Sequence, residues 1–102
     1  MINYNITVSV DDDITVDWLE WMQKEHIPDV MSSGVFIKAY LSKLINPNDS
    51  HNTFAITYSC ISMKDLHFYQ VHFATDLQKK HDTRYGDKVL AFRTIMEIIQ
   101  DF

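Results

Sequence analysis

Ile2-Asn3-Tyr4-Asn5-Ile6-Thr7-Val8-Ser9-Val10 alternates apolar and polar residues without a break. Successive side chains of an extended chain point to opposite faces, so this period of two reads as a strand with Ile2, Tyr4, Ile6, Val8 and Val10 against a core. The triplet Asp11-Asp12-Asp13 ends the strand and places negative charge where the positive end of a following helix dipole would lie. Three adjacent carboxylates cannot alternate with backbone ligands as a calcium loop requires, so the triplet is not read as a metal site.

Working outward, Thr15 reads as an N-cap flanked by Ile14 and Leu19 as a hydrophobic staple. Wound on a helix, Ile14, Trp18, Leu19, Trp21, Met22 and His26 share one arc, and Asp17, Glu20, Gln23 and Lys24 lie opposite. Pro28 lacks the N–H that a helix interior needs and disfavours helical geometry at Ile27. The helix is therefore expected to kink or restart near His26 and to finish at Ser33-Gly34, with Gly34 as C-cap. Val35 to Ile45 reads as a second strand, Asn46-Pro47-Asn48-Asp49-Ser50-His51 as a hairpin turn, and Thr53 to Ile61 as a third strand. Ser62-Met63-Lys64-Asp65 resembles a capping box with Asp in place of Glu or Gln. It opens a second helix, striped by Leu66, Tyr69, Phe73 and Leu77, that ends around His81 to Gly86. In Lys88 to Phe102, Phe92, Ile95, Met96 and Ile99 also fit helical spacing. The β-favouring Val89, Leu90, Phe92, Thr94, Ile95 and Ile98 decide for a strand over the first ten residues.

The order β-α-β-β-α-β gives an α+β, ferredoxin-like fold: a four-stranded antiparallel sheet with two helices on one face. Strand two carries Val35, Ile37, Ala39 and Leu41 on one side and Phe36, Tyr40 and Leu44 on the other, and strand four is likewise apolar on both. An open sheet face of that kind predicts a homodimer, sheet against sheet about a two-fold axis, making a dimeric α+β barrel.

A length of 102 residues fits a single domain over residues 1–102, and 46% hydrophobic residues is enough for a real core. Net charge of -5 disfavours nucleic acid, and the basic run Lys79, Lys80, Arg84 and Lys88 is broken by Asp82 and Asp87. No long apolar run or signal-like N-terminus predicts a membrane partner or export. The lone Cys60 allows no internal disulfide, which places the protein in the cytoplasm.

Among candidate functional residues, His26 is foremost. On an apolar arc beside a proline, burial would keep its imidazole neutral, able to serve as a general base, to hydrogen-bond a ligand oxygen or to ligate a haem iron. The plainer alternative has it capping backbone carbonyls freed by Pro28. Trp18, Trp21 and Met22 would wall the same pocket, or simply fill the core. Arg93 falls on one face of its strand with Val89, Ala91 and Ile95, and needs an acidic partner such as Glu97, an acid of a second subunit, or an anionic ligand. His81, Arg84 and Tyr85 suit the negative end of the second helix dipole. His67 and His72, five apart, do not form a metal clamp. Neither a C-x-x-C nor a glycine-rich phosphate loop occurs, so no metal or cofactor is expected. Cys60 shares its strand face with Phe54, Ile56 and Tyr58 and reads as an inert core thiol. Phe68 and Val71 lie off the stripe of helix two and are candidate partner contacts.

Trp18-Leu19-Glu20-Trp21-Met22-Gln23-Lys24-Glu25-His26-Ile27-Pro28, with His81-Asp82-Thr83-Arg84-Tyr85-Gly86 and Ala91-Phe92-Arg93-Thr94, resembles a family of short bacterial proteins known as domain of unknown function 4286. The resemblance covers nearly the whole chain and implies a dimeric α+β barrel with no established activity. More distantly, a helix ending in W...H-x-P resembles the wider superfamily of small monooxygenases, haem-degrading enzymes, isomerases and cyclases, which use a pocket between helices and sheet. Two expectations follow. One is a homodimer that binds a small, largely apolar molecule at His26, with a cofactor-independent monooxygenase or isomerase-like activity as its enzymatic variant. The other is a non-enzymatic protein-interaction module, which a cavity well under about 300 Å³ would favour.

Overall fold

β1 (Ile2–Val10) runs through the middle of a four-stranded sheet, antiparallel to β3 (Asn52–Cys60) on one side and to β4 (Val89–Glu97) on the other. β2 (Lys38–Lys43) adds to the far side of β3, so the order is β2-β3-β1-β4. The computed structural model describes residues 1–45 and 52–102; the expected turn at 46–51 lies outside the described residues. Register follows the alternation of β1. Tyr4 lies opposite Tyr58 and Ile95, and Ile6 opposite Ile56 and Arg93, which puts all of them on one face. Two helical arms cover that face. Trp18, Met22 and Val30 of the first and Leu66, Tyr69, Ala74 and Tyr85 of the second join the inward residues of β1 and β3 in one core.

The first arm is α1 (Thr15–Trp21), a π-helical turn (Met22–His26) and α2 (Ile27–Met31). Pro28 explains the turn. With no N–H on Pro28, the ladder loses one bond, and the helix accommodates the gap by widening: Ile27 N–H reaches back five residues to the Met22 carbonyl. The irregularity falls near His26, where a kink or restart was expected, and takes the form of this widened turn without a restart; Gly34 ends the arm in the left-handed region at φ 76°. The second arm repeats the device without a proline: α3 (Met63–Tyr69), a π-turn (Gln70–Ala74) and α4 (Thr75–Tyr85). The Ser62 hydroxyl accepts the Asp65 N–H at 3.3 Å, as the capping box requires.

Three expectations are corrected. Thr15 is not an N-cap: its hydroxyl donates to the Asp11 carbonyl at 2.8 Å, because a short 3-10 turn (Asp12–Ile14) precedes the helix and takes its first bonds. β2 is shorter than Val35 to Ile45. Phe36 breaks the alternation to bury itself against Tyr58 and Tyr69, with ring centres 5.0 and 4.8 Å away, and among the described residues only the Ile37 and Leu44 N–H groups extend the ladder beyond the strand. The open face is also not apolar throughout. β2 presents Lys38, Tyr40 and Ser42 there, and β1 and β3 present a hydrogen-bonded polar ladder in which Thr57 donates to Asn5 and Ser59 to Asn3. The apolar part is β4, where Leu90 (67% exposed), Phe92 (63%) and Met96 (44%) stand in a row.

Candidate functional site

Between the arms and the sheet lies a cavity of about 80 Å³, open on one side. β1, β3 and β4 form its floor, and each arm contributes one histidine to its roof. Trp18, Met22, His26 and Arg93 line it, whereas Trp21 does not. Trp21 stands behind, its ring 5.2 Å from His26 and 5.9 Å from His81, with the Arg84 guanidinium 5.5 Å from its centre. It therefore fixes the two imidazoles from outside.

Trp18 is fully buried, and its indole N–H donates to His81 Nε2 at 3.0 Å. That bond sets the tautomer: His81 carries its proton on Nδ1, toward Asp82 Oδ1 at 3.4 Å. His26 and His81 face each other with ring centres 5.8 Å apart. Burial pushes the His26 pKa down to about 4, the nearby His81 pushes the same way, and Asp29 opposes both. Burial lowers His81 too, against the pull of Asp82. Both rings are therefore neutral at pH 7. No hydrogen bond to the ring nitrogens of His26 exists among the described residues, so the plainer role of capping carbonyls freed by Pro28 is not what this side chain does; the π-turn takes up that slack.

The rest of the lining was not anticipated as a site. Tyr4, Tyr58 and Tyr69 are each about 95% buried (4%, 3% and 5% exposed), and all three border the cavity. Their hydroxyls have no hydrogen-bond partner among the described residues, yet no sealed polar side-chain atom there is left unpaired. Each hydroxyl is therefore reached by solvent, on a residue that borders the cavity. Burial raises Tyr58 and raises Tyr69 to about 12, so both stay neutral donors. The signal was present in the sequence, since three tyrosines sit at core-facing positions where a phenol needs somewhere to put its O–H. Arg93 has no ion pair among the described residues; Glu97, its expected partner, stands a full four residues further along the strand.

Elsewhere, Arg84 and Lys88 serve the surface through Asp17 at 3.5 Å and Asp13 at 2.7 Å. The shallow depression lined by Trp21, Glu25, Asp76, Lys79, Lys80 and Arg84 mixes both signs of charge. Cys60 is buried and burial raises its pKa, which suits an unreactive thiol. Phe68 and Val71 are exposed at 51% and 60%. Among the described residues no cluster of side chains could hold a metal, and no helix is long and apolar enough to cross a membrane.

Comparison with known proteins places this geometry in context. Residues 1–99 match the model of a family described as a domain of unknown function, DUF4286. No curated protein matches. Among solved structures, a dimeric ferredoxin-like protein from an uncultured marine organism superposes with a TM-score of 0.74 at 9% identity, covering 99% of this chain and 97% of its own. HapK from Hahella chejuensis gives 0.71 at 7% identity over 100% and 96%. A candidate antibiotic biosynthesis monooxygenase from Deinococcus radiodurans gives 0.71 at 11% identity over 100% and 96%. At such identities the likeness is one of fold.

Proposed function

We propose, from the premise that this chain belongs to the DUF4286 family, that it works as a homodimeric α+β barrel whose subunits each bind a small molecule between helices and sheet. His26 is the central polar contact, with Trp18, Met22 and Arg93 around the ligand and Trp21 bracing the imidazole. The observation that carries this reading is an unpartnered, neutral His26 facing a real cavity. A histidine kept only for packing would have its ring nitrogens satisfied by the protein.

The volume narrows the ligand. About 80 Å³ holds about three waters, so the enclosed part of the molecule has about three non-hydrogen atoms, with an apolar side against Val8, Ile56 and Met22. A drug-sized apolar molecule does not fit. The dimer rests on the apolar row Leu90, Phe92 and Met96 of β4 and on the similarity to proteins described as dimeric. The buried single thiol suits the cytoplasm. A cofactor-independent monooxygenase or isomerase-like reaction, with His26 as base, is the enzymatic form of the same reading.

A second reading keeps its own support. The cavity is well under about 300 Å³ and Phe68 and Val71 are exposed, as an interaction module would have them. A thermal-shift screen of small phenols, lactones and acids separates the two. Hits that stabilise the wild type and not a folded His26→Ala variant support ligand binding, and a screen without hits, alongside a partner lost on Phe68→Asp, supports the module.

A further inference from the structure

The lining of the cavity is unusual in its polarity. Three tyrosines, each about 95% buried, line it, and their hydroxyls are accessible and without partners among the described residues. The Arg93 guanidinium reaches the same space from β4 and is felt by both Tyr69 and His81. These groups are donors. Against them stand Asp82, exposed and turned toward His81 Nδ1, and the Gln78 amide. A cavity so rich in O–H and N–H groups, with one unpaired positive charge and neutral imidazoles, complements negative oxygen. Water satisfies phenols as well as an anion does; what favours an anion is the planar guanidinium, which lines the same space and has no acidic partner among the described residues.

We propose that the ligand carries a carboxylate, held by Arg93 together with the hydroxyls of Tyr4, Tyr58 and Tyr69, while its short apolar part lies toward Val8 and Ile56. The inference rests on the reading of this cavity as a binding site and adds the chemical class of what enters it. A carboxylate matches the planar fork of an arginine through two parallel hydrogen bonds and still has lone pairs for phenol donors. Enclosed space for about three non-hydrogen atoms, with one open side, excludes nucleotides and favours a short-chain acid.

Butyrate and its neutral isostere butyramide are the probes, each titrated at pH 7 and constant ionic strength into the intact protein. Binding is read from the indole N–H resonance of Trp18, whose ring borders the cavity. The wild type is expected to bind butyrate at least tenfold more tightly than butyramide. Arg93→Gln removes that preference by weakening butyrate about tenfold to a hundredfold while weakening butyramide far less, and Tyr69→Phe weakens butyrate less than Arg93→Gln does. Arg93 is exposed, so its replacement leaves the fold intact, and Arg93→Lys recovers part of the preference. Equal binding of the two probes overturns the carboxylate assignment while keeping the cavity as a site. Silence from both probes, with hits of another chemistry in the thermal-shift screen, overturns it as well. Silence from every compound removes the binding reading beneath it. Dissociation of a dimer by Arg93→Gln, without change in probe binding, assigns Arg93 to the subunit interface and overturns the proposal.

Discussion

Trp18 Nε1 lies 3.0 Å from His81 Nε2, joining the two helical arms across 63 residues of sequence with one hydrogen bond. Replacing His81 by Ala strands the N–H of a fully buried indole and opens space beside it. The expected loss is about 2 to 4 kcal/mol, the sum of an unsatisfied donor and a small cavity. Urea unfolding monitored by Trp fluorescence measures it, and a loss below about 1 kcal/mol would show that the bond does not hold the arms.

Acid should weaken the fold through the same pair. His26 titrates at about 4 in the folded chain against 6.5 unfolded, so the unfolded state takes up the proton first. The stability that comes from keeping this ring neutral is fully present above pH 6.5, declines as pH falls, and is lost by about pH 4, in all about 3 kcal/mol. His81 adds in the same direction, and the lowered Asp13 adds a smaller acid-side loss. His26→Gln flattens the curve between pH 6.5 and 4. Unfolding free energies measured at half-unit pH steps test this, and an unchanged slope in the variant would contradict it.

Removing a cavity hydroxyl behaves differently from removing a core group. Because the Tyr58 hydroxyl has no protein partner among the described residues, Tyr58→Phe costs less than about 0.5 kcal/mol or even stabilises the free protein. A calorimetric Tm lower by several degrees would mean that the hydroxyl has a structural bond.

Gly86 ends the second arm at φ 58°, ψ -134°, a conformation closed to residues with a Cβ. A Cβ placed there meets no atom within 4 Å, so Gly86→Ala isolates the backbone cost. The expected loss is about 1 to 3 kcal/mol, read as a lower Tm with unchanged circular dichroism at room temperature.

The strands were legible because β1, β3 and β4 each carry their periodicity within one segment, and Ser62 and Asp65 mark a helix start by local chemistry alone. β2 was overdrawn because Phe36 leaves the alternation for a contact with Tyr69, a partner 33 residues away that no local pattern announces. The π-turns were hidden for a similar reason. Pro28 signals a defect in the ladder but not whether the helix breaks or widens, and Gln70–Ala74 carries no signal at all. At the site, His26, Trp18, Met22 and Arg93 could be named from helix arc and strand face. His81 could not be ranked above a helix-end cation, since its partner is Trp18 on the other arm, and the tyrosines passed as core because their hydroxyls find space where a core would give a partner.

The interface follows from β4. Phe92 and Leu90 are more than 60% exposed on the open face, so Phe92→Asp should turn a micromolar-stable dimer into a folded monomer. Sedimentation equilibrium decides this, and a wild type already monomeric at that concentration would contradict the barrel.

A crystal structure of the protein purified at neutral pH in carboxylate-free buffer and soaked with the best binder bears most directly on His26 as the centre of a binding site. Density for the small molecule is expected in the cavity of each subunit of a two-fold dimer, with a polar atom within about 3.2 Å of a His26 ring nitrogen. A cavity closed by side chains, or holding only ordered water while the molecule sits elsewhere, would contradict the account.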